Sequence, residues 1–437
     1  MTGLRRELSL RDLILFNIAA VTSIRTLGAA AHTGPSAVWL WLGAALLFFV
    51  PSALCVAALS RRMPHEGGVY VWTREAFGPW HGFLCAYCYW LNNLFYFPSI
   101  IVAGVAMFAY AFAKDAAALS ASPAFVLPVA VAVLWAITIA NIFGLKVGKW
   151  LGNLGGAITF GTGFLLIVLA AVKLALQGPA TPLNFEFTWA WDKLNFWPQL
   201  AFAFGGLELG GIVAGEVRDP ERTIPRASWL SGGAIALFYI CGTVAILILM
   251  TPDAVSPVTG LTQAASAAET ALGLPGLASV TAAAIAIGLT GQIGAWMIVI
   301  SRLPYVLGTE HFLPEAFGRL DPKFGSPRAA LLSLSAACTF FLLVMHAGED
   351  LRTGYQLLVD MAAITYFIPL VYLFASAWKL LRLPLAWPGI GVLALGIALS
   401  FVPPGGTANV LVFEAKLVGG TIACLAVARL WFRAKTI

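Results

Sequence analysis

Twelve runs of roughly 20 apolar residues, separated by short polar segments, constrain this chain more than any other feature. A helix needs about 20 such residues to cross about 30 Å of hydrocarbon, and backbone inside lipid must satisfy its own hydrogen bonds. The runs fall at 13–31, 37–59, 82–113, 124–143 and 151–176, then at 196–214, 229–250, 277–300, 329–345, 355–378, 385–402 and 410–430. They predict an all-α membrane protein of about 12 transmembrane helices. Only 11% of the residues are charged and 60% are hydrophobic, whereas soluble domains carry about 25% charged residues. Lipid is therefore the expected solvent for most of the surface. The formal net charge of +6 belongs to loop lysines and arginines that set topology, not to a nucleic-acid footprint.

Placing both termini in the cytoplasm puts 20 of the 26 lysines and arginines in cytoplasmic segments. Lys114, Lys173, Lys193, Arg352 and Lys416 fall on the outer side, and Arg25 falls inside the first run. This asymmetry predicts a multi-pass protein of a bacterial inner membrane with cytoplasmic N and C termini. Arg5, Arg6 and Arg11 before an apolar run imitate a secretion signal, but no small-residue cleavage site follows, so the run is expected to remain as the first span. A single transmembrane domain over 1–437 is expected, with no catalytic or regulatory module outside the membrane. All six cysteines lie in apolar stretches. Cys85 and Cys88 form a CxxC without a second pair or a nearby histidine, so they read as small hydrophobes, and no metal or cofactor is expected.

Two runs are poor recipes for uninterrupted helices. The first contains NIAAVTSIRTLG at 17–28, with polar, β-branched and glycine residues at its centre, and the sixth contains FAFGGLELGG at 202–211. Non-helical backbone at membrane depth persists only where protein or a water-filled cavity satisfies it. Interruptions at corresponding places in two halves point to a carrier's binding site. The expected organisation is two inverted five-helix repeats, 1–176 and 195–380, followed by two additional helices in 384–433. Half-helix N-termini present free N–H groups and a positive dipole end to a carboxylate, while freed carbonyls accept from an ammonium group. An α-amino acid matches both.

Arg25, Glu208 and Asp360 lie well inside runs, where an ionisable side chain is costly and functional by default. Arg25 and Glu208 sit on the two interrupted runs, so mutual pairing and direct substrate contact are both open. Asp360 is a candidate for binding a cationic group or carrying a proton. Phe202, Phe204, Trp296 and Tyr366, with Asn92, Asn93, Tyr96 and Gln292, are placed to line or close a central cavity.

Three stretches carry a resemblance. Residues 202–227, FAFGGLELGGIVAGEVRDPERTIPRA, resemble the sixth-helix signature of the amino acid-polyamine-organocation superfamily, supported by PHEGGVYVWTREAFG at 64–78 and SRLPYVLGTEHFLPEAFGRLDPKFGSP at 301–327. Ser23-Ile24-Arg25-Thr26-Leu27 and Glu208 are most similar to the glutamate/GABA antiporter branch. The resemblance implies a LeuT-like 5+5 inverted repeat, discontinuous helices 1 and 6, and alternating access. It also implies substrate contacts from the segments around Val21, Thr22, Ser23 and Ile24 and around Phe204, Gly205, Gly206 and Leu207, with Phe202 as an aromatic gate. The fifth-helix lysine of some members is missing from 153–163, which favours exchange or coupling through another group. Glu216, Arg218, Asp219, Arg222 and Arg226 follow the sixth run and read either as a cytoplasmic gate or as a topological anchor.

The residues exclude other classes. The five histidines lie at or near span ends, and no nucleophile–base pair, metal cluster or phosphate loop is visible, so an enzyme is not expected and no residue is assigned a catalytic role. Charge rings and a carbonyl-filter repeat, which would mark a channel, are also missing. The expectation is a secondary carrier for amino acids or related amines, working as an exchanger. The alternative is a proton-coupled symporter using Glu208 or Asp360. The expected partners are a small-molecule substrate and the bilayer, with monomer and homodimer both open.

Overall fold

The computed structural model describes residues 8–24, 26–65, 67–113, 115–143, 145–186, 197–206, 208–256, 259–348, 351–401 and 409–436. The described residues are almost entirely helical. The chain begins with α1 (Leu10–Val21), α2 (Thr26–His32), α3 (Ala37–Arg62), α4 (Val69–Phe77), α5 (Pro79–Ala109), α6 (Ala116–Ser120), α7 (Pro123–Ile142) and α8 (Leu145–Gln177). It continues with α9 (Trp197–Phe202), α10 (Leu209–Ile212), α11 (Pro220–Leu249), α12 (Gly260–Leu272), α13 (Leu277–Ile300), α14 (Arg302–Thr309), α15 (Arg328–His346) and α16 (Leu351–Leu381). Helices α17 (Ala386–Ser400) and α18 (Val410–Thr436) close it.

The first eight elements and the second eight follow the same order: a broken pair, a long helix, a short amphipathic helix, a long helix, a short helix, and two more long helices. Each set crosses the bilayer an odd number of times, so the second enters from the opposite face and the repeat is inverted. Among the described residues nine helices are long and apolar enough to span. Adding α17 and the two broken pairs gives the expected twelve crossings.

Helix α11 packs against α1, α2, α3 and α8, while α13 packs against α8 and α5, and α15 against α5 and α7, so α8 links the spans around the first break to those around α5. Helix α5 is the most enclosed span and α18 the most lipid-exposed, so the core lies around α5. Small residues let α8 and α13 meet closely: a Cβ on Gly155 would lie 2.5 Å from the Gly291 Cα and 3.0 Å from the Gly288 carbonyl oxygen. Such backbone approach is how membrane helices gain packing energy without a hydrophobic driving force between them.

Several boundaries differ from the sequence reading: α8 begins at Leu145 and not near 151, α5 ends at Ala109 and not near 113, and α18 runs on to Thr436. Helix α11 begins at Pro220, not near 229, so Arg222 and Arg226 lie on its first turns. Proline suits this position because the first helical N–H needs no intrahelical partner.

Candidate functional site

Both expected interruptions exist. Helix α1 ends where Thr22 turns extended, its N–H donating to the Ile18 carbonyl, and α2 starts after turns from Thr26 N–H to Ser23 O and Leu27 N–H to Ile24 O. The second break runs through tight turns, Phe204 N–H to Ala201 O and Gly205 N–H to Phe202 O. Gly206 has φ +107°, a region that L side chains rarely adopt, and a Cβ there would lie 3.0 Å from both the Trp296 ring and the Val21 side chain. Glycine is thus required by conformation and by the contact between the two breaks.

A small cavity lies between the breaks. Its walls include Val21, Ser23, Asn92, Phe202, Gly205 and Tyr366, with Thr26, Tyr96, Ala203 and Trp296 completing it. The aromatic rings form a box: Tyr96 meets Phe202 edge-on at 5.7 Å and Trp296 at 5.6 Å, and Phe202 meets Tyr366 at 5.1 Å. Phe204 is turned away, packed at 5.7 Å on Phe49 and edge-on to Trp41. It supports the break and does not line the cavity.

Glu208, 2% exposed, sits just beyond this box. Its Oε1 accepts from the hydroxyls of Tyr89 and, at 2.7 Å, Tyr366, and its Oε2 accepts from Gly206 N–H at 3.2 Å. Three donors on one carboxylate compensate its removal from water. Tyr89 comes from α5 and Tyr366 from α16, so this side chain straps the second break to both of those helices. Arg25 and Leu207 lie outside the described residues.

The remaining expected residues divide. The Gln292 amide donates to the freed Thr22 carbonyl at 3.2 Å, and Asn92 donates to Ala362 O at 2.7 Å. Asn93 donates within α5 to Tyr89 O and does not line the cavity. Asp360 accepts from Gln356 at 2.9 Å, lies within electrostatic reach of Glu414 on α18, and is not among the residues that line the cavity. Arg218, Arg222 and Arg226 are exposed; the side chain of Glu216 is outside the described set. Arg222 reaches Asp219 only at 3.9 Å with both side chains mostly exposed, an arrangement worth little.

Sequence reasoning missed three groups. Tyr239 of α11 accepts from Ser23 N–H at 2.9 Å, and its hydroxyl faces the Val21 carbonyl at 3.1 Å and the Ala203 carbonyl at 2.9 Å. One phenol thus clasps both breaks. Tyr89 had a usable signal, since it precedes Asn92 and Asn93 by one turn and Tyr96 by two on the same face. The third group joins α4 to α14 on the arginine- and lysine-rich face: Arg74 pairs with Glu310 at 2.6 Å, and the Tyr70 hydroxyl donates to the same carboxylate. Burial first, then the hydrogen bond to Glu310, pushes the Tyr70 phenol well above its ordinary value, so it stays protonated and donating. Helix α4 also seals the second break, with Gly67 N–H donating to Ile212 O at 3.0 Å and Trp72 packed on Gly211.

Two discontinuous helices in inverted repeats, meeting at a mid-bundle cavity, define a multi-pass membrane protein of the LeuT-like fold. The amino acid permease family profile matches residues 8–412, and the chain belongs to that family. An uncharacterized transporter of Legionella pneumophila is 30% identical, with 97% of this chain and 96% of that protein covered. The cadaverine/lysine antiporter of Escherichia coli is 24% identical over 78% of this chain and 76% of its own. The crystal structure of MhsT in complex with L-phenylalanine superposes with a TM-score of 0.59 at 16% identity, covering 92% of this chain and 99% of that one. The protein is a transporter and not an enzyme.

Proposed function

We propose that this protein exchanges an amino acid, or a related amine, across a bacterial inner membrane by alternating access, with both termini in the cytoplasm. The observation that carries the reading is the cavity bounded by both breaks, where backbone N–H and carbonyl groups sit beside an aromatic box. Main-chain carbonyls of the two breaks, each able to accept a second hydrogen bond, suit the ammonium group of the substrate, and Phe202 suits a lid over it. The name of the Escherichia coli relative, a cadaverine/lysine antiporter, supports exchange of this chemical class.

In this reading the Glu208 strap to Tyr89 and Tyr366 closes the path toward the basic face, and the Arg74–Glu310–Tyr70 contact latches the same side. Both join groups that must separate for the cavity to open there. The test uses purified protein in liposomes loaded with lysine, cadaverine, glutamate or GABA, measuring uptake of label. Exchange requires internal substrate; uptake into empty vesicles driven by a pH gradient alone refutes it and selects proton symport, through Glu208 or Asp360.

A further inference from the structure

The last turns of α18 pack unlike the rest of that helix. Helix α18 is the most lipid-exposed span, yet on the basic face its Arg429, Trp431 and Phe432 grip two other elements. Phe432 stacks on Phe312, with centroids 5.7 Å apart and 17° between planes, and meets Trp80 edge-on at 5.1 Å and Phe83 at 5.5 Å. Phe83 also meets Phe312 at 5.8 Å. The Trp431 indole N–H donates to Phe312 O at 2.9 Å, and the Arg429 guanidinium lies 4.5 Å from the centre of the Trp80 ring. Aromatic pairs at these separations, and a cation over an indole, attract beyond the area they bury. The cluster is therefore a cohesive joint between α18, the start of α5 and the turn after α14.

Both arms of this joint reach the Arg74–Glu310 ion pair. Phe312 follows Glu310 by two residues, and His311 between them takes φ +65°, a left-handed conformation that a residue other than glycine holds only when its surroundings fix it. Past this reversal Phe312 N–H closes α14 on Leu307 O at 2.9 Å, and the Phe312 ring enters the cluster. On the other arm, Trp80 and Phe83 flank Gly82, where a Cβ would lie 2.7 Å from the Arg74 Cβ. Glycine there lets α4 seat Arg74 directly against α5.

We infer that the end of α18 is a clip that holds Glu310 against Arg74 and so sets how readily the cavity opens toward the basic face, with Trp431 and Phe432 as positioning residues. This role rests on the reading of Arg74, Glu310 and Tyr70 as a latch. Parting the latch moves α14 away from α4, and a turn held at Phe312 by α18 resists that movement. One of the two helices that follow the repeats thereby acts on the transport cycle without touching the cavity.

The experiment labels a Ser60→Cys reporter beneath α4 in the cysteine-depleted full-length protein, with melting as the folding control. Phe432→Ala is expected to label faster, by no more than loss of the latch itself gives, about fivefold. Phe432→Tyr keeps the ring and is expected to label as wild type; equal acceleration in both overturns the stacking role. In the Glu310→Gln background Phe432→Ala is expected to add nothing, because the group it positions is already gone. Effects that multiply in the double variant overturn the inference, since α18 would then brace this face independently of Glu310. Wild-type labelling in Phe432→Ala beside faster labelling in Glu310→Gln overturns the clip and leaves the latch standing, whereas no change in either overturns the latch and the clip with it. Should Phe432→Ala not fold, Trp431→Phe decides: it lacks only the indole N–H and is expected to label about twofold faster, and wild-type labelling there overturns the clip.

Discussion

Tyr239→Phe tests the clasp between the two breaks with little change of shape. The ring stays stacked on Trp41, at 4.5 Å and 18° between planes, and edge-on to Phe204 at 5.5 Å, so no cavity is created. What is lost is the hydroxyl: the bond it accepts from Ser23 N–H, and the single proton it gives to Val21 O or Ala203 O. Two hydrogen bonds at about 0.5–1.5 kcal/mol net each come to roughly 1–3 kcal/mol. That energy now orders the backbone that the substrate must find ready, so disordering it is subtracted from apparent affinity at about tenfold per 1.4 kcal/mol. The assay is counterflow in substrate-loaded proteoliposomes, with melting of the purified protein as the folding control. The expected result is a KM raised about tenfold in a folded protein. A KM within twofold of wild type refutes the clasp. A lowered KM refutes it too, because the hydroxyl would then be competing with substrate for the Ser23 amide.

Further expectations follow from the same geometry. Glu208→Gln replaces a three-donor acceptor by an amide that must turn its own N–H2 toward a tyrosine hydroxyl or the Gly206 N–H; exchange is expected to fall at least about tenfold, and unchanged rate and pH profile would remove this residue from the mechanism. Gly206→Ala forces a side chain into φ +107° between Val21 and Trp296, costing about 1–3 kcal/mol in conformation alone, and should abolish measurable exchange before it abolishes folding, as read by counterflow against melting. Glu310→Gln breaks the ion pair to Arg74, whose side chains are 38% and 30% exposed. The loss is below about 1 kcal/mol, so melting should barely move while a Ser60→Cys reporter beneath α4, in a cysteine-depleted background, labels up to about fivefold faster. Asp360→Asn, outside the cavity lining, is expected to leave counterflow unchanged; a severe loss would restore the proton-carrier reading.

The number of spans and the positions of both breaks were legible because lipid imposes a length on every crossing and because glycine, hydroxyl and charged residues cannot continue a lipid-facing helix without compensation. Tyr96, Trp296 and Tyr366 stood out for a related reason, since polar aromatics deep in apolar runs need a partner or a cavity, and Phe202 stood out by its place next to the break. The strap on Glu208 was half legible: the acid and Tyr366 each stood out, but their pairing and the part of Tyr89 did not. Only the packing of α5 and α16 brings these two hydroxyls to the carboxylate, from 119 and 158 residues away.

Local pattern reports the cost a residue must meet but not which distant group meets it. Glu208 and Asp360 present the same burial problem along the chain, yet one accepts from Gly206 at the second break and the other from Gln356 on its own helix. Likewise the charges after the second break, with Arg222 mostly exposed beside Asp219, are not what joins α4 to α14; Arg74 and Glu310 are. The residues of this chain by themselves determined that it crosses the membrane about twelve times and opens its backbone twice. Only the packed structure decided that one hydroxyl, on Tyr239, holds both openings, because that contact depends on where three helices meet and on no periodicity within any of them.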